Sequence, residues 1–357
     1  MAGPVAVSDF TARSPTNLRT EVSAVQHGTT MKPISRVHIA VTESDAFEQG
    51  ADVLLLKYAR KSYGLDKEAY ERILATGARV QLPAVGTSIW CAAADSPGPR
   101  AYLFTGVKAL GELSYPDLRA FVRISLASLY EQNRDVAHVA LTVHGAGFGL
   151  DEIEAFASQL GGILDAIETG RFPQGLARIS FVERNRNRAE RLKAALEKLL
   201  PGGVVSLRGR SGDSVGTTVR DAGYRSAEKR RAFVAMPFDP SMEDAFHYAM
   251  QGATHRQEML CERVDSSAFT GDILERIKKQ IETATIVIAD LTDANANVYL
   301  EVGYAWGRGV PTVLVARVGT ELKFDVRGHR CLFYAGIRDL ENKLDQELPP
   351  LLSRLGS

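Results

Sequence analysis

From Arg36 onward, short apolar runs rich in valine, isoleucine and leucine alternate with longer stretches whose apolar residues recur every three or four positions. Runs of the first kind predict strands, and stretches of the second kind predict amphipathic helices. Strands are expected at residues 37–41 and 51–58. The second has a continuous apolar middle, Val53-Leu54-Leu55-Leu56, the pattern of a strand covered on both faces. Gly64-Leu65-Asp66 reads as a turn, with Asp66 placed to cap a helix over residues 67–74. Short strands follow at 80–82, 87–90 and 101–104, then a helix over 116–131 and a buried strand at 138–143. The loop His144-Gly145-Ala146-Gly147-Phe148-Gly149-Leu150-Asp151-Glu152 leads into a helix that ends near Thr169. A strand at 177–182, a charged helix over 184–200 and a short strand at Val204-Val205 complete the first half.

The second half alternates more regularly. Strands are expected at 232–236, 258–264, 285–289 and 311–316, and helices at 243–253, 272–283, 298–307 and about 340–355. Strict alternation predicts a parallel, doubly wound sheet. Ligands in such sheets bind outside the carboxyl ends of the strands. Residues at those ends are therefore the candidates for chemistry: Met236-Pro237-Phe238, Asp265, and Asp290 at the end of Thr285-Ile286-Val287-Ile288-Ala289. Polar turn residues follow Asp290, and a helix then carries Glu301 about one turn from its start. This brings two carboxylates near the carboxyl end of one strand.

The domain plan is a flexible tail over residues 1–34, a first domain over 35–206, a linker over 207–231 and a second domain over 232–357. The linker is basic and poor in apolar residues, and reads as a solvated connector.

Composition narrows the function. The 357 residues suffice for two domains, and 43 basic residues balance 43 acidic ones. No overall charge argues for nucleic acid or a membrane surface. No apolar run has the length of a membrane span, and residues 1–30 lack the apolar core of a secretory signal. Cys91, Cys261 and Cys331 are scattered, with no metal-ligand spacing, so no metal is expected and a reducing cytoplasm is.

The loop Gly145, Ala146, Gly147, Phe148, Gly149 supports two readings. Glycines before a helix N-terminus let a ligand approach backbone N–H groups. Alternatively the loop is a tight turn, with Asp151 as the helix cap. His144 reads as a packed histidine.

Mixed strands with a glycine loop between a buried strand and a helix resemble the macro-domain fold, and also the macro-related N-terminal domain of leucyl aminopeptidases. The resemblance implies a pocket for an ADP-ribose-like or nucleotide ligand. The peptidase catalytic domain has no counterpart here, so no peptidase activity is implied. In the second half, Ala235-Met236-Pro237-Phe238, Ala289-Asp290-Leu291-Thr292, Asn297-Val298-Tyr299-Leu300-Glu301-Val302-Gly303-Tyr304-Ala305 and Phe324-Asp325-Val326-Arg327 resemble the TIR-like, nucleoside 2-deoxyribosyltransferase-like domains of bacterial defence and signalling proteins. The expected fold is thus α/β: a macro-like mixed sheet followed by a flavodoxin-like (TIR-like) parallel sheet.

The resemblance implies an N-glycosidase in which Glu301 faces the anomeric carbon of a nucleotide sugar. Asp290 would hold a ribose hydroxyl or water. Asn297 and Tyr299 would fix the ribose or the Glu301 rotamer, and Met236, Pro237, Phe238 and Phe324 would pack a base or nicotinamide ring. Arg327, with Arg263 and Arg330, would meet phosphate, and Asp265 lies on the same rim. The expected activity is NAD hydrolysis in anti-phage or stress signalling. NAD is the substrate with no further cofactor, and nucleotide binding to the first domain regulates the enzyme. A homo-oligomer on activation is also implied. The alternatives are a non-catalytic nucleotide-binding module and an N-glycosidase or transferase acting on (deoxy)nucleoside monophosphates. Each residue also has a plain reading: Glu301 as a first-turn glutamate, Asp290 as a turn residue, Asn297 as an N-cap, Phe238 and Phe324 as core, Arg327 and Arg330 as surface arginines.

Overall fold

The structure, a computed structural model, describes residues 36–60, 64–93, 98–206, 216–264 and 273–355. The expected tail and Asp265 lie outside them.

The first half contains β1 (Arg36–Glu43), β2 (Val53–Tyr58), α1 (Gly64–Ala75), β3 (Ser88–Ala92), β4 (Ala101–Gly106), α2 (Tyr115–Glu131), β5 (His138–Leu141), α3 (Glu152–Glu168), β6 (Arg178–Glu183), α4 (Arg186–Leu199) and β7 (Val204–Ser206). They build a seven-stranded mixed sheet ordered β3-β4-β2-β5-β6-β1-β7. The inner strands are parallel, and β3 and β7 close the edges antiparallel. Successive residues of a strand serve opposite faces. Val53, Leu55, Val139 and Leu141 pack under α2, α3 and α4, while Leu54, Leu56 and Ala140 pack with Ala69 and Ile73 of α1. That two-sided burial explains the unbroken apolar middle of β2.

Two local expectations are corrected. Residues 80–82 form no strand. Asp66 does not cap α1 from outside; it lies within the first turn, paired with Lys57 of β2.

Residues 216–229, within the expected linker, are packed. They form α5 (Thr217–Asp221) and a tight turn, with Val219, Ala222 and Ser226 buried. Arg119 of α2 donates to the carbonyls of Val219, Arg220 and Ala222.

The second half contains β8 (Arg231–Ala235), a π-helical turn Ala245–Met250 running into α6 (Gln251–Arg256), β9 (Leu260–Glu262), α7 (Ile273–Thr283), β10 (Ile286–Asp290), α8 (Ala296–Gly307), β11 (Thr312–Arg317), β12 (Cys331–Tyr334) and α9 (Ile337–Leu355). All strand pairs are parallel, in the order β12-β11-β10-β8-β9. The strand β12 has no counterpart among the strands read from sequence. The chain steps from β8 outward to β9 and from β10 outward to β11, so the winding reverses between β8 and β10. Such a reversal opens a crevice at the carboxyl ends of the two central strands. Ala232, Val234, Ile286, Ile288, Val313 and Val315 pack beneath α9 and the π-helical turn. Phe233, Ala235, Val287, Ala289, Leu314 and Ala316 pack beneath α7 and α8. The described residues, Arg36 to Leu355, form one compact unit.

Candidate functional site

The reversal places the Met236-Pro237 turn beside the end of β10. Met236 and Pro237 are buried, and Phe238 beyond them is 42% exposed. Arg263 donates to Met236 Sδ at 3.5 Å and to Glu243 at 2.7 Å. Asp290 ends β10 fully buried. It accepts from the Thr292 backbone N–H at 3.0 Å, from the Thr292 hydroxyl at 2.5 Å and from Tyr334 Oη at 2.7 Å. Burial raises its carboxyl above the ordinary range, while these donors oppose the shift. Asp290 therefore organises the turn into α8 from within. Just beyond it, Asp293 and Ala294 take left-handed backbone conformations, at φ 61° and 50°, which non-glycine residues adopt only under local constraint.

Asn295, not Asn297, caps α8: its side chain accepts the Asn297 N–H, and Asn297 itself is exposed. Val298, Val302 and Ala305 form the buried stripe of this helix. Glu301 lies in the second turn, half-buried beside that stripe. Tyr304, one turn on along the same side, donates to Glu282 of α7 at 2.6 Å, so Glu301 sits on the α7 flank. Among the described residues it has no hydrogen-bond or ion-pair partner, and burial pushes its pKa up to about 7.

Tyr299 occupies the other flank and accepts the Lys323 N–H at 3.2 Å. There Phe324, 85% exposed, and Arg327 line a cavity of about 680 Å³ with Thr292, Asp293 and Arg317. Arg327 pairs with Glu321, and Arg330 with Glu347. The residues expected to share one rim are thus divided by α8, with Glu301 on one side and Phe324 and Arg327 on the other.

The glycine loop has a different setting. Asp151 caps α3, accepting the N–H groups of Ile153 and Glu154 at 2.9 Å. His144 is buried edge-on against Phe121, and burial holds its pKa well below the ordinary value, so it is neutral. The loop carbonyls turn toward α7. Gln280 donates to the Gly149 carbonyl at 2.6 Å, and Arg276 donates to Phe148 O at 3.2 Å. Gly149 has φ +87°, and a Cβ there would stand 2.4 Å from Gln280 Nε2. Phe148 also forms an antiparallel bridge with Val264. The carboxyl rim of the first sheet is thereby docked against the second half.

No family model matches the chain, and no curated relative matches it. Among solved structures, the CMP N-glycosidase BcmB of Clostridium botulinum is similar over 33% of this chain and 98% of its own, with 15% identity and a TM-score of 0.28. The macrodomain of Mycobacterium tuberculosis DarG is similar over 41% of this chain and 97% of its own, with 15% identity and a TM-score of 0.30. The Oceanobacillus iheyensis macrodomain with MES bound is similar over 46% and 97%, with 12% identity and a TM-score of 0.33.

A buried polar network between the halves escapes the sequence reading. Tyr115 of α2 donates to Glu262 at 2.7 Å and accepts the Asp151 N–H at 2.8 Å. The Asp151 carboxylate also meets His255 Nε2 at 2.6 Å and the Cys261 N–H at 2.9 Å. Burial raises the Glu262 carboxyl to about 7. Within the strand expected at 258–264, which also holds Glu258 and Arg263, no sequence signal singles out Glu262; its burial at the end of β9 does.

Proposed function

We propose that the second half hydrolyses an N-glycosidic bond, with NAD as substrate and nicotinamide as the released group, and that Glu301 is the carboxylate facing the reacting sugar. The observation that carries this reading is Glu301 itself. A half-buried carboxyl in the second turn of α8, the helix that follows the central strand β10, and unpartnered among the described residues, serves no structural bond there. Cleavage of the bond to nicotinamide builds positive charge at the anomeric carbon. A poorly solvated carboxylate stabilises that charge or attacks to form a glycosyl intermediate, which water then resolves. With a pKa of about 7, Glu301 is ionised and competent above neutrality, so activity rises with pH through that value.

The first half regulates this chemistry through ligand binding at the glycine loop. Gln280 and Arg276 tie that loop to α7, and α7 packs on α8 through Glu282 and Tyr304. Assembly into a homo-oligomer on activation and a role in anti-phage or stress signalling complete the proposal.

A second reading replaces NAD with a (deoxy)nucleoside monophosphate. Its deoxy form is favoured by Asp290, a buried carboxylate whose two oxygens are engaged by Thr292 and Tyr334, as suits a substrate that lacks a 2′-hydroxyl.

The test is nicotinamide release from NAD by the purified chain, alone and with added nucleotides, with CMP and dCMP hydrolysis followed in parallel. Glu301→Gln is expected to lower the rate about 100-fold or more. Equal rates for wild type and variant under every activating condition would overturn the glycosidase reading. Base release from the monophosphates alone would transfer it to the second substrate class.

A further inference from the structure

A cavity of about 570 Å³ lies beside the glycine loop, with walls drawn from both halves. Ala146, Gly147 and Leu150 form one side, and Pro240 and Phe246 supply apolar surface on the other. The volume falls within the range of small-molecule sites. The electrostatics of its walls narrow what enters.

Three guanidiniums line the cavity, and each is committed within the wall. Arg188 donates to Glu152 at 2.7 Å and to Glu183 at 2.9 Å. Arg191 meets Glu152 at 3.3 Å and donates to His247 Nε2 at 3.0 Å. Arg263 donates to Glu243 at 2.7 Å. The remaining acid, Asp244, is exposed and has no cationic partner among the described residues. The lining therefore sets four carboxylates against three guanidiniums, and His247 Nε2 also lies 3.2 Å from Glu243.

Phosphate needs an uncommitted cation or an open helix N-terminus. Two helix N-termini come near. That of α4 lines the cavity, and there Asn185 already accepts the Arg188 N–H while Glu183 accepts the Asn185 N–H. That of α3 is filled by its own Asp151 carboxylate, which His255 and the Cys261 N–H hold in place. A phosphate entering here meets neither feature and faces Asp244. A neutral ligand meets the half-open backbone of Ala146 and Gly147, the exposed amide of Asn187 and the free carboxylate of Asp244, all suited to hydroxyl and amino groups.

We propose that this cavity between the halves binds an uncharged, nucleoside-like ligand, a flat ring bearing hydroxyl or amino groups and no phosphate, held by both walls at once. The proposal rests on the glycine loop as the ligand loop and is independent of the chemistry at Glu301. Because both halves supply wall residues, occupancy bears on the contact between them as well as on the loop.

The experiment is titration calorimetry on the full chain, with adenosine and uridine as nucleoside probes and ADP and ADP-ribose as phosphate-bearing ones. The expected result is binding of at least one nucleoside, with its phosphate-bearing counterpart at least tenfold weaker. Two exposed positions test the two walls: Asn187→Trp from the first half and Asp244→Trp from the second. Each should weaken nucleoside binding at least tenfold while the melting temperature stays within a degree or two of wild type. Three results overturn the proposal: ADP or ADP-ribose binding as tightly as the nucleoside, loss of binding from only one of the two substitutions, or no binding of either nucleoside. Glu301→Gln should bind as wild type does. A nucleoside that binds a chain releasing neither nicotinamide from NAD nor the base of CMP or dCMP therefore leaves this site standing and removes only the glycosidase reading.

Discussion

Glu301 and Asp290 carry the same group, and burial pushes both toward the protonated form, but their surroundings differ. Asp290 is satisfied by Thr292 and Tyr334. Tyr334→Phe leaves a buried carboxylate oxygen short of a donor and should lower stability by about 1–3 kcal/mol, read by urea denaturation. Glu301 has no compensating donor among the described residues. Its folded pKa of about 7 lies above the ordinary 4.5, so its ionisation disfavours the folded state increasingly from pH 4.5 to about 7, and to the full extent above. Glu301→Gln should therefore melt higher than wild type at pH 8 and nearly the same at pH 4.5. No gain at pH 8 would mean that Glu301 is solvated or paired. The position of Glu301 is legible because a β-branched strand, a polar turn and a helix follow one another directly. The role of Asp290 is not, because its partner Tyr334 lies on β12, a strand whose short sequence, Cys331-Leu332-Phe333-Tyr334, is mostly half-exposed and follows a charged loop. The cap is misplaced for a simple reason: Asn295 and Asn297 both suit the role, and only the backbone distinguishes them.

At the scale of elements, α7 is the piece with two duties. Ile277 and Ile281 bury it on the sheet, and Gln280 and Arg276 reach the glycine loop. Leu274 of α7 is 45% exposed, and the buried polar residue of this helix is Gln280. A glutamine on an amphipathic helix reads as solvent-facing, and a contact to a loop 131 residues earlier leaves no local trace. Gly149→Ala combines a positive φ with a collision against Gln280, so it should release this contact. Hydrogen exchange in α7 is expected to rise in that variant, and basal nicotinamide release to change severalfold. Unchanged exchange in α7 would exclude the loop as its anchor. The alternation of the second half was legible because β8, β10 and β11 have unbroken apolar middles and α7 and α9 are amphipathic. The packing of residues 216–229 was not, because it depends on Arg119 reaching three backbone carbonyls from α2.

At the scale of the molecule, the two sheets meet through groups that titrate. Burial disfavours the charged His255, but the Asp151 carboxylate outweighs it and raises its pKa above 6.5. Glu154 adds to that rise and Lys229 opposes it. This contribution to stability is complete below 6.5 and lost as pH rises through the folded value. Burial also opposes the Asp151 charge, yet His255 and two backbone N–H groups hold its pKa below 3.8, so its contribution is lost only in stronger acid. Glu262, raised to about 7 by burial, becomes unfavourable over pH 4.5 to 7. All three effects place the strongest contact between the halves at mildly acidic pH. Melting temperature should peak near pH 5 to 6 and fall by pH 8, and His255→Gln should flatten the alkaline side of that profile.

The same meeting surface determines how the chain can be cut. Separated, each half would expose Tyr115, Asp151 or Glu262 to solvent, and the edge that Phe148 shares with Val264 would be left open. Produced as two polypeptides, residues 1–206 and 207–357, the pieces should complement one another, each soluble in the presence of the other and prone to aggregate alone.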